Sequence, residues 1–333
     1  MLSLKENFLE TIKKDGKPDR LVCDFEMTKL LLGDPWMQIS RAGLKRGESG
    51  VDKWGSFFMW TEDAPSAVPH PTPDNLVIKD ILEWRDVLHV PPLENNPDDW
   101  QEIRDQKANI DVNEYVPTGF VAPGLFERLH RLMGFEGCFI AMLEEPEEFQ
   151  ELVDVIATDR MKNLKILVEN EKPEMILSHD DWGSKQSLFI SPDHWREFIK
   201  PHYMEFYGYL KSEGIITMHH ADSFLEPIVE DMIEVGIDIW QGALPENDIV
   251  KLQEQIDGRM TIMGGIDASI IDRVDSTEEE IRAEVRRACA TYGPGGHFIP
   301  SITYGGPNYL LFPHVEEIMF DEIRKYNNET YGK

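Results

Sequence analysis

The sequence predicts an α/β protein, a (β/α)8 barrel with an N-terminal helical and loop extension, in a single domain spanning residues 1–333. Three observations predict it. From Tyr115 onward, short β-branched runs alternate with helix-period segments over short connections, the pattern of a parallel sheet covered by helices. Two of those runs end abruptly in acid/base side chains. Met175-Ile176-Leu177-Ser178 runs into His179-Asp180-Asp181, and Ile215-Ile216-Thr217-Met218 runs into His219-His220-Ala221-Asp222. Finally, no G-x-G-x-x-G follows the first expected strand, which removes the main support for an open dinucleotide-binding sheet.

The elements follow in order. Residues 2–14 read as an amphipathic helix stopped by Asp15-Gly16-Lys17-Pro18. Arg20 to Phe25 reads as a strand running into Asp24 and Glu26, and residues 51–60 as an extended aromatic segment. The Pro-rich stretch from Thr61 to about Asp74 reads as a long loop rather than a linker, because no core-sized unit precedes it. Strands are expected near 115–120, 174–178, 215–219, 237–240, 260–263 and 297–300. Helices are expected at 124–133, 137–143, 146–168, 192–211, 224–234, 247–255, 278–291 and 314–326. Pro146 sits where a first helical residue loses nothing by lacking an N–H, and Ser276-Thr277-Glu278-Glu279 resembles a capping box.

Composition narrows the function. The net charge of -29 repels phosphate and disfavours nucleic acid and anionic membrane surfaces as partners. No run of about eighteen apolar residues is present, and the first residues lack a signal-peptide layout. Cys23, Cys138 and Cys289 are too far apart for a C-x-x-C metal pair, so a reducing cytoplasm is the expected compartment.

In a barrel the side chains at the C-terminal strand ends face the active site. Those ends supply Asp24 and Glu26, His179 and Asp181, His220 and Asp222, Trp240 and Gln241, Asp267, and Ser301 with Tyr304. Two imidazoles and several carboxylates at one mouth suit zinc held by nitrogen and oxygen, with a position open for substrate. Catalytic roles are expected for His179, Asp181 and His220, metal ligation for His220, Asp222 and Glu26, and substrate contacts for Glu26, Trp182, Trp240, Gln241 and Tyr304. Plainer roles stand beside these. His219 points to the opposite side of its strand from His220, Asp222 and Asp267 could each cap a helix, and the tryptophans could be core.

The segments "KPDRLVCDF" at 17–25, "VDKWG" at 51–55, "GFEGCFIAMLEEPEEF" at 134–149, "LFISPDHWREFIKPHY" at 188–203 and "MGGID" at 263–267 resemble the uroporphyrinogen decarboxylase superfamily, in particular its cobalamin-dependent methyltransferases. The resemblance runs from Glu6 to about Tyr326 and implies a (β/α)8 barrel with its site at the C-terminal mouth. In thiol-methylating members a His-x-Cys-Gly follows the strand that here ends in His220-Ala221-Asp222-Ser223, so the resemblance assigns the zinc-binding histidine to His220 and puts Asp222 in place of cysteine. A second family cysteine is absent from Ile299-Pro300-Ser301-Ile302. The decarboxylase's Arg-Gln-Ala-Gly-Arg is replaced by Asp24-Phe25-Glu26-Met27, which lacks the cations that grip a polycarboxylate.

The resemblance therefore implies a methyltransferase of a corrinoid system. It would move a methyl group from a small donor, such as a methoxylated aromatic, to cobalamin carried by a separate corrinoid protein, with zinc assisting. A cofactor-free decarboxylase is the alternative reading, and a homodimer is compatible with the sequence.

Overall fold

The computed structural model describes residues 1–332 except 63, 65, 305, 308, 309 and 311. Seven strands, Thr28–Leu31, Val116–Val121, Met175–His179, Ile216–His220, Ile239–Ala243, Thr261–Ile266 and Phe298–Ile302, form one sheet in chain order. Every neighbouring pair is parallel. From the second strand on these runs are buried on both faces almost throughout, as a sheet covered by its own lumen on one side and by helices on the other requires.

The first strand differs from expectation. Residues 20–25 make no ladder. Asp24 takes a left-handed conformation (φ 49), a turn follows, and the strand begins only at Thr28. The segment still bridges the gap, since Asp24 N–H donates to Pro300 O (3.1 Å) on the last strand and Val116 N–H donates to Met27 O (2.8 Å) beside the second strand. The barrel thus closes through a kinked segment in place of an eighth strand.

Strand alternation sorts the core into two layers. Val22, Phe25, Met27, Val116, Met175, Leu177, Met218, Ile239, Met263 and Ile299 fill the lumen, while the other face of each strand packs on helices. The helix Leu4–Ile12 closes the lumen from below. Ser3 completes a capping box with Glu6, and Phe8 enters the lumen cluster. Lys5 anchors this helix beneath the second and third strands by donating to Val112 O (2.7 Å) and pairing with Glu174 (2.6 Å).

Above the second strand the chain forms a helical hairpin. The helix Leu125–Glu144 breaks at Gly134 (φ 74), between the two helices expected at 124–133 and 137–143, and Pro146–Glu171 follows. The latter has 26 residues, about 39 Å at 1.5 Å per residue. The strands have 4–6 residues, roughly 13–20 Å, so the hairpin stands beyond the C-terminal mouth. The extension at 32–115 contains a small antiparallel sheet, Ser49–Val51, Phe57–Met59 and Val68–Pro69, where a plain loop was expected for the last part. It docks on the hairpin through a buried ion pair, Asp52 with Arg128 (2.9 Å). Among the described residues no helix is long and apolar enough to cross a membrane.

Replacing Phe8 with Ala should cost about 3–5 kcal/mol in urea unfolding, since it empties the sealed floor of the lumen. Leu9→Ala, on the exposed face of the same helix, should change stability by under about 0.5 kcal/mol.

Candidate functional site

The third and fourth strands pair in register so that His179 lies beside His220. Alternation places both on the lumen side, directly above Leu177 and Met218. Their rings lie 4.3 Å apart, centroid to centroid. Asp181 sits just past the third strand. It accepts a hydrogen bond from Asp222 N–H (3.1 Å), and its Oδ1 lies 3.8 Å from His220 Nε2. A ligand atom from each of His179, Asp181 and His220 falls within 4.8 Å of the others.

Hydrogen bonding fixes how these groups are presented. Gln241, next in the lumen ring, donates from Nε2 to Tyr304 O (2.9 Å), which leaves its Oε1 facing His220 Nδ1 at 2.5 Å. An amide oxygen only accepts, so His220 carries its proton on Nδ1 and turns the Nε2 lone pair toward Asp181. His179 Nδ1 stands 3.1 Å from Glu127 Oε1, an ion-pair contact without hydrogen-bond alignment. Glu127 lies in the first turn of the hairpin and is also held by Arg131 (3.2 Å).

The electrostatics split the two histidines. Burial works against a charge on His179, but Glu127 beside it, with Asp181, lifts its pKa to about 9. Burial and the neighbouring charge of His179 push His220 down to about 4. Burial raises Asp181 to about 6, with His179 opposing and Glu127 reinforcing. Asp222 is likewise pushed to about 6 by burial and by Asp181. One imidazole is thus held as a cation and its neighbour as a free base.

A single metal ion fits the donor set. Two imidazole nitrogens and a carboxylate oxygen converge, the other nitrogen of His220 is held by the Gln241 amide oxygen and that of His179 faces the Glu127 carboxylate, and one side of the group is left to the mouth.

The structure places the remaining expected residues as follows. Glu26 is not at the mouth. The first strand starts after it, and its carboxylate instead accepts from Cys23 N–H (2.8 Å) beside Arg20 and Arg324. Asp222 borders the group without joining it. Trp182 is sealed between Trp195, Tyr203 and His219, and Trp240 faces the helix layer and donates to Ala221 O (3.0 Å). Neither indole reaches the lumen, because alternation puts Gln241, not Trp240, on that side. His219 accepts no ligand role here either, since Tyr207 OH and Asp180 O occupy its two nitrogens. Tyr304 is near Asp222 and Asp272 on the rim. Asp267 caps its helix through Ser269 N–H (2.8 Å), and His297 lies at the opposite end of the barrel against Thr11 O (3.0 Å).

Two residues went unread in the sequence. Glu127 resembles an ordinary acidic residue in a first helical turn. Asp180, next to the expected Asp181, accepts four hydrogen bonds, from Phe126 N–H (3.1 Å), Glu127 N–H (2.8 Å), Trp182 Nε1 (2.9 Å) and Tyr203 OH (2.7 Å). The readable signal was Gly124, immediately before the helix. A Cβ there would come within 2.0 Å of Asp180.

A family model described as uroporphyrinogen decarboxylase (URO-D) matches residues 106–315. The chain belongs to this family. The match takes in six of the seven barrel strands and the whole histidine group. Among solved structures, a methyltransferase from Methanosarcina mazei is similar over 99% of this chain and 100% of its own, at 18% identity and a TM-score of 0.66. A D-psicose 3-epimerase from Clostridium cellulolyticum H10 aligns over 70% of this chain and 84% of its own, at 11% identity and a TM-score of 0.40. No curated protein matches by sequence. Within the uroporphyrinogen decarboxylase family this chain carries a lumen acid, Asp24, bonded to Ser301 Oγ, in the segment that closes the barrel.

Burial pushes Asp24 up to about 7, against the lowering effect of its hydrogen bonds from Ser301 and Phe25 N–H. An unfolded aspartate titrates near pH 3.9, so between about pH 4 and pH 7 the folded chain binds more protons and stability falls as pH rises. Asp24→Asn should remove this dependence, gaining up to about 4 kcal/mol on the wild type between pH 4 and pH 8. Chemical denaturation at both pH values checks it, and an equal effect at the two would refute the assignment.

Proposed function

We propose that this chain is the methyltransferase of a corrinoid-dependent system, moving a methyl group from a small O-methyl donor to the cobalt of a corrinoid carried by a separate protein. The observation that carries the reading is the convergence of His179, Asp181 and His220 at the mouth, with opposite protonation preferences on the two imidazoles. Family membership and the fold shared with a methyltransferase support it.

The reaction breaks a carbon–oxygen bond and forms a carbon–cobalt bond, with the electron pair of the first left on oxygen. An alkoxide or phenoxide leaves poorly unless its charge is met. Zinc held by His179, Asp181 and His220 would supply a Lewis acid at that oxygen. Glu127 orients His179, and Gln241 fixes the tautomer of His220. When His179 is protonated it can donate from Nε2 to the departing oxygen, with Glu127 stabilising the cation beforehand. A ligating His179 and a protonated one are alternative states of one residue, so metal content decides between them. None of Cys23, Cys138 and Cys289 belongs to the group, which separates it from a thiol-activating zinc site and favours the side of the system that takes the methyl from the donor.

The family's own description favours a second reading, decarboxylation of a carboxylated tetrapyrrole. Carbon dioxide released from uroporphyrinogen without added corrinoid protein would support it.

His220→Ala is expected to lose bound zinc by mass spectrometry and to abolish methyl transfer to a supplied corrinoid protein. Gln241→Leu, which keeps His220 but frees its tautomer, should weaken zinc binding by about 10–100-fold. Full activity and unchanged metal content in His220→Ala would reject the reading.

A further inference from the structure

The charge of the mouth bears on what enters it. The segments joining strands two to seven to the helices that follow them (122–124, 180–191, 221–225, 244–248, 267–277 and 303–312) hold eight carboxylates and only two cationic side chains. Both cations are engaged. Lys185 lies 4.0 Å from Glu246, and Arg273 pairs with Asp275 (3.3 Å) and Glu280 (3.6 Å). Arg131 is taken by Glu127, and Arg287, which reaches Gly265 O, is taken by Glu284. In the extension after the first strand, Arg41, Lys45, Arg46 and Lys53 are solvent-exposed. Within these strand-end segments every guanidinium and ammonium thus has a carboxylate partner, and the cation of the site itself, His179, is already held by Glu127.

One acid stands out. Asp222 follows the fourth strand by two residues, is close to Asp181, His220 and Tyr304, and is only partly exposed. Asp181 accepts from the backbone of Asp222, while the Asp222 carboxylate accepts no hydrogen bond and makes no ion pair among the described residues. A carboxylate left open beside a reaction centre is a waiting acceptor, and it repels another carboxylate.

We infer that Asp222 is the specificity-determining carboxylate of this site: it receives an O–H or N–H of an uncharged O-methyl donor and turns away donors that carry a carboxylate. The inference rests on the methyl-transfer reading for the word donor, but its charge selectivity is a property of binding alone.

Two probes of similar size and shape, 2-methoxyphenol and 2-methoxybenzoate, test it. Calorimetric titration of the zinc-loaded protein without corrinoid protein reads binding, and methyl transfer with corrinoid protein reads turnover. The wild type should prefer the phenol by roughly tenfold or more. Asp222→Asn keeps an acceptor but removes the charge, so it should hold the phenol and admit the benzoate, collapsing the ratio. A wild type that binds the benzoate as well as the phenol, a ratio unchanged in Asp222→Asn, or no binding of the phenol would overturn the inference. Selective binding without any methyl transfer would sink the proposed function and leave the inference standing. Equal transfer from both probes would do the reverse.

Discussion

The geometry of the mouth depends on one buried carboxylate. Asp180 lies at the end of the third strand and collects four donors from three elements: the first turn of the hairpin, the indole of Trp182 and the phenol of Tyr203. Each donor is buried, so losing the acceptor would leave four polar groups unsatisfied at once. The same contact fixes the start of the helix Leu125–Glu144 against the strand, at a separation only a glycine at 124 permits. Glu127 is thereby delivered to His179 by the backbone that Asp180 holds. A short π turn at Trp195–Ile199 precedes the helical stretch that carries Tyr203 to Asp180 and Tyr207 to His219.

From this anchor the rest is register. His179 pairs with His220 and His220 with Gln241, so three neighbouring strands present an imidazole, an imidazole and an amide on one rim. Below the rim the lumen is filled with methionine, leucine and isoleucine, and Phe8 seals its floor. Polar chemistry is therefore confined to the C-terminal end by packing. The hairpin, longer than the barrel is tall, walls one side of that end and supplies the acid that charges His179.

Much of this was legible. The third to seventh strands announce themselves by β-branched runs closed by glycine or polar residues, and the pairing of two strands that end in histidine follows from their adjacency in the chain. The first strand was misread because its apolar run, Leu21-Val22-Cys23, looks extended. The turn that interrupts it depends on Asp24 adopting a positive φ, which an aspartate tolerates but does not declare. That error moved Glu26 to the mouth when it belongs near the opposite face. The tryptophans misled for another reason: hydrophobic bulk at a strand end says nothing about which face it occupies until the phase of the strand is known. Glu127 was invisible because it sits on a helix and its partner, His179, on a strand 52 positions further along the chain.

The energetics argue that the charged rim is retained for chemistry. His179, Glu127, Arg131 and Asp181 are all removed from solvent to a large degree. Buried ion pairs commonly stabilise a fold less than apolar side chains of the same volume would, because desolvation offsets their attraction. One layer lower, the same strands use Leu177 and Met218 and pack without polar atoms. A sequence shaped for stability alone would continue that pattern to the rim. Instead it places a free-base imidazole beside a cationic one, sets an amide oxygen on the far nitrogen of the first and a carboxylate beside that of the second, and leaves the near nitrogens and an unengaged Asp222 facing outward. That departure from the apolar rule is confined to the one end of the barrel where a substrate can reach it.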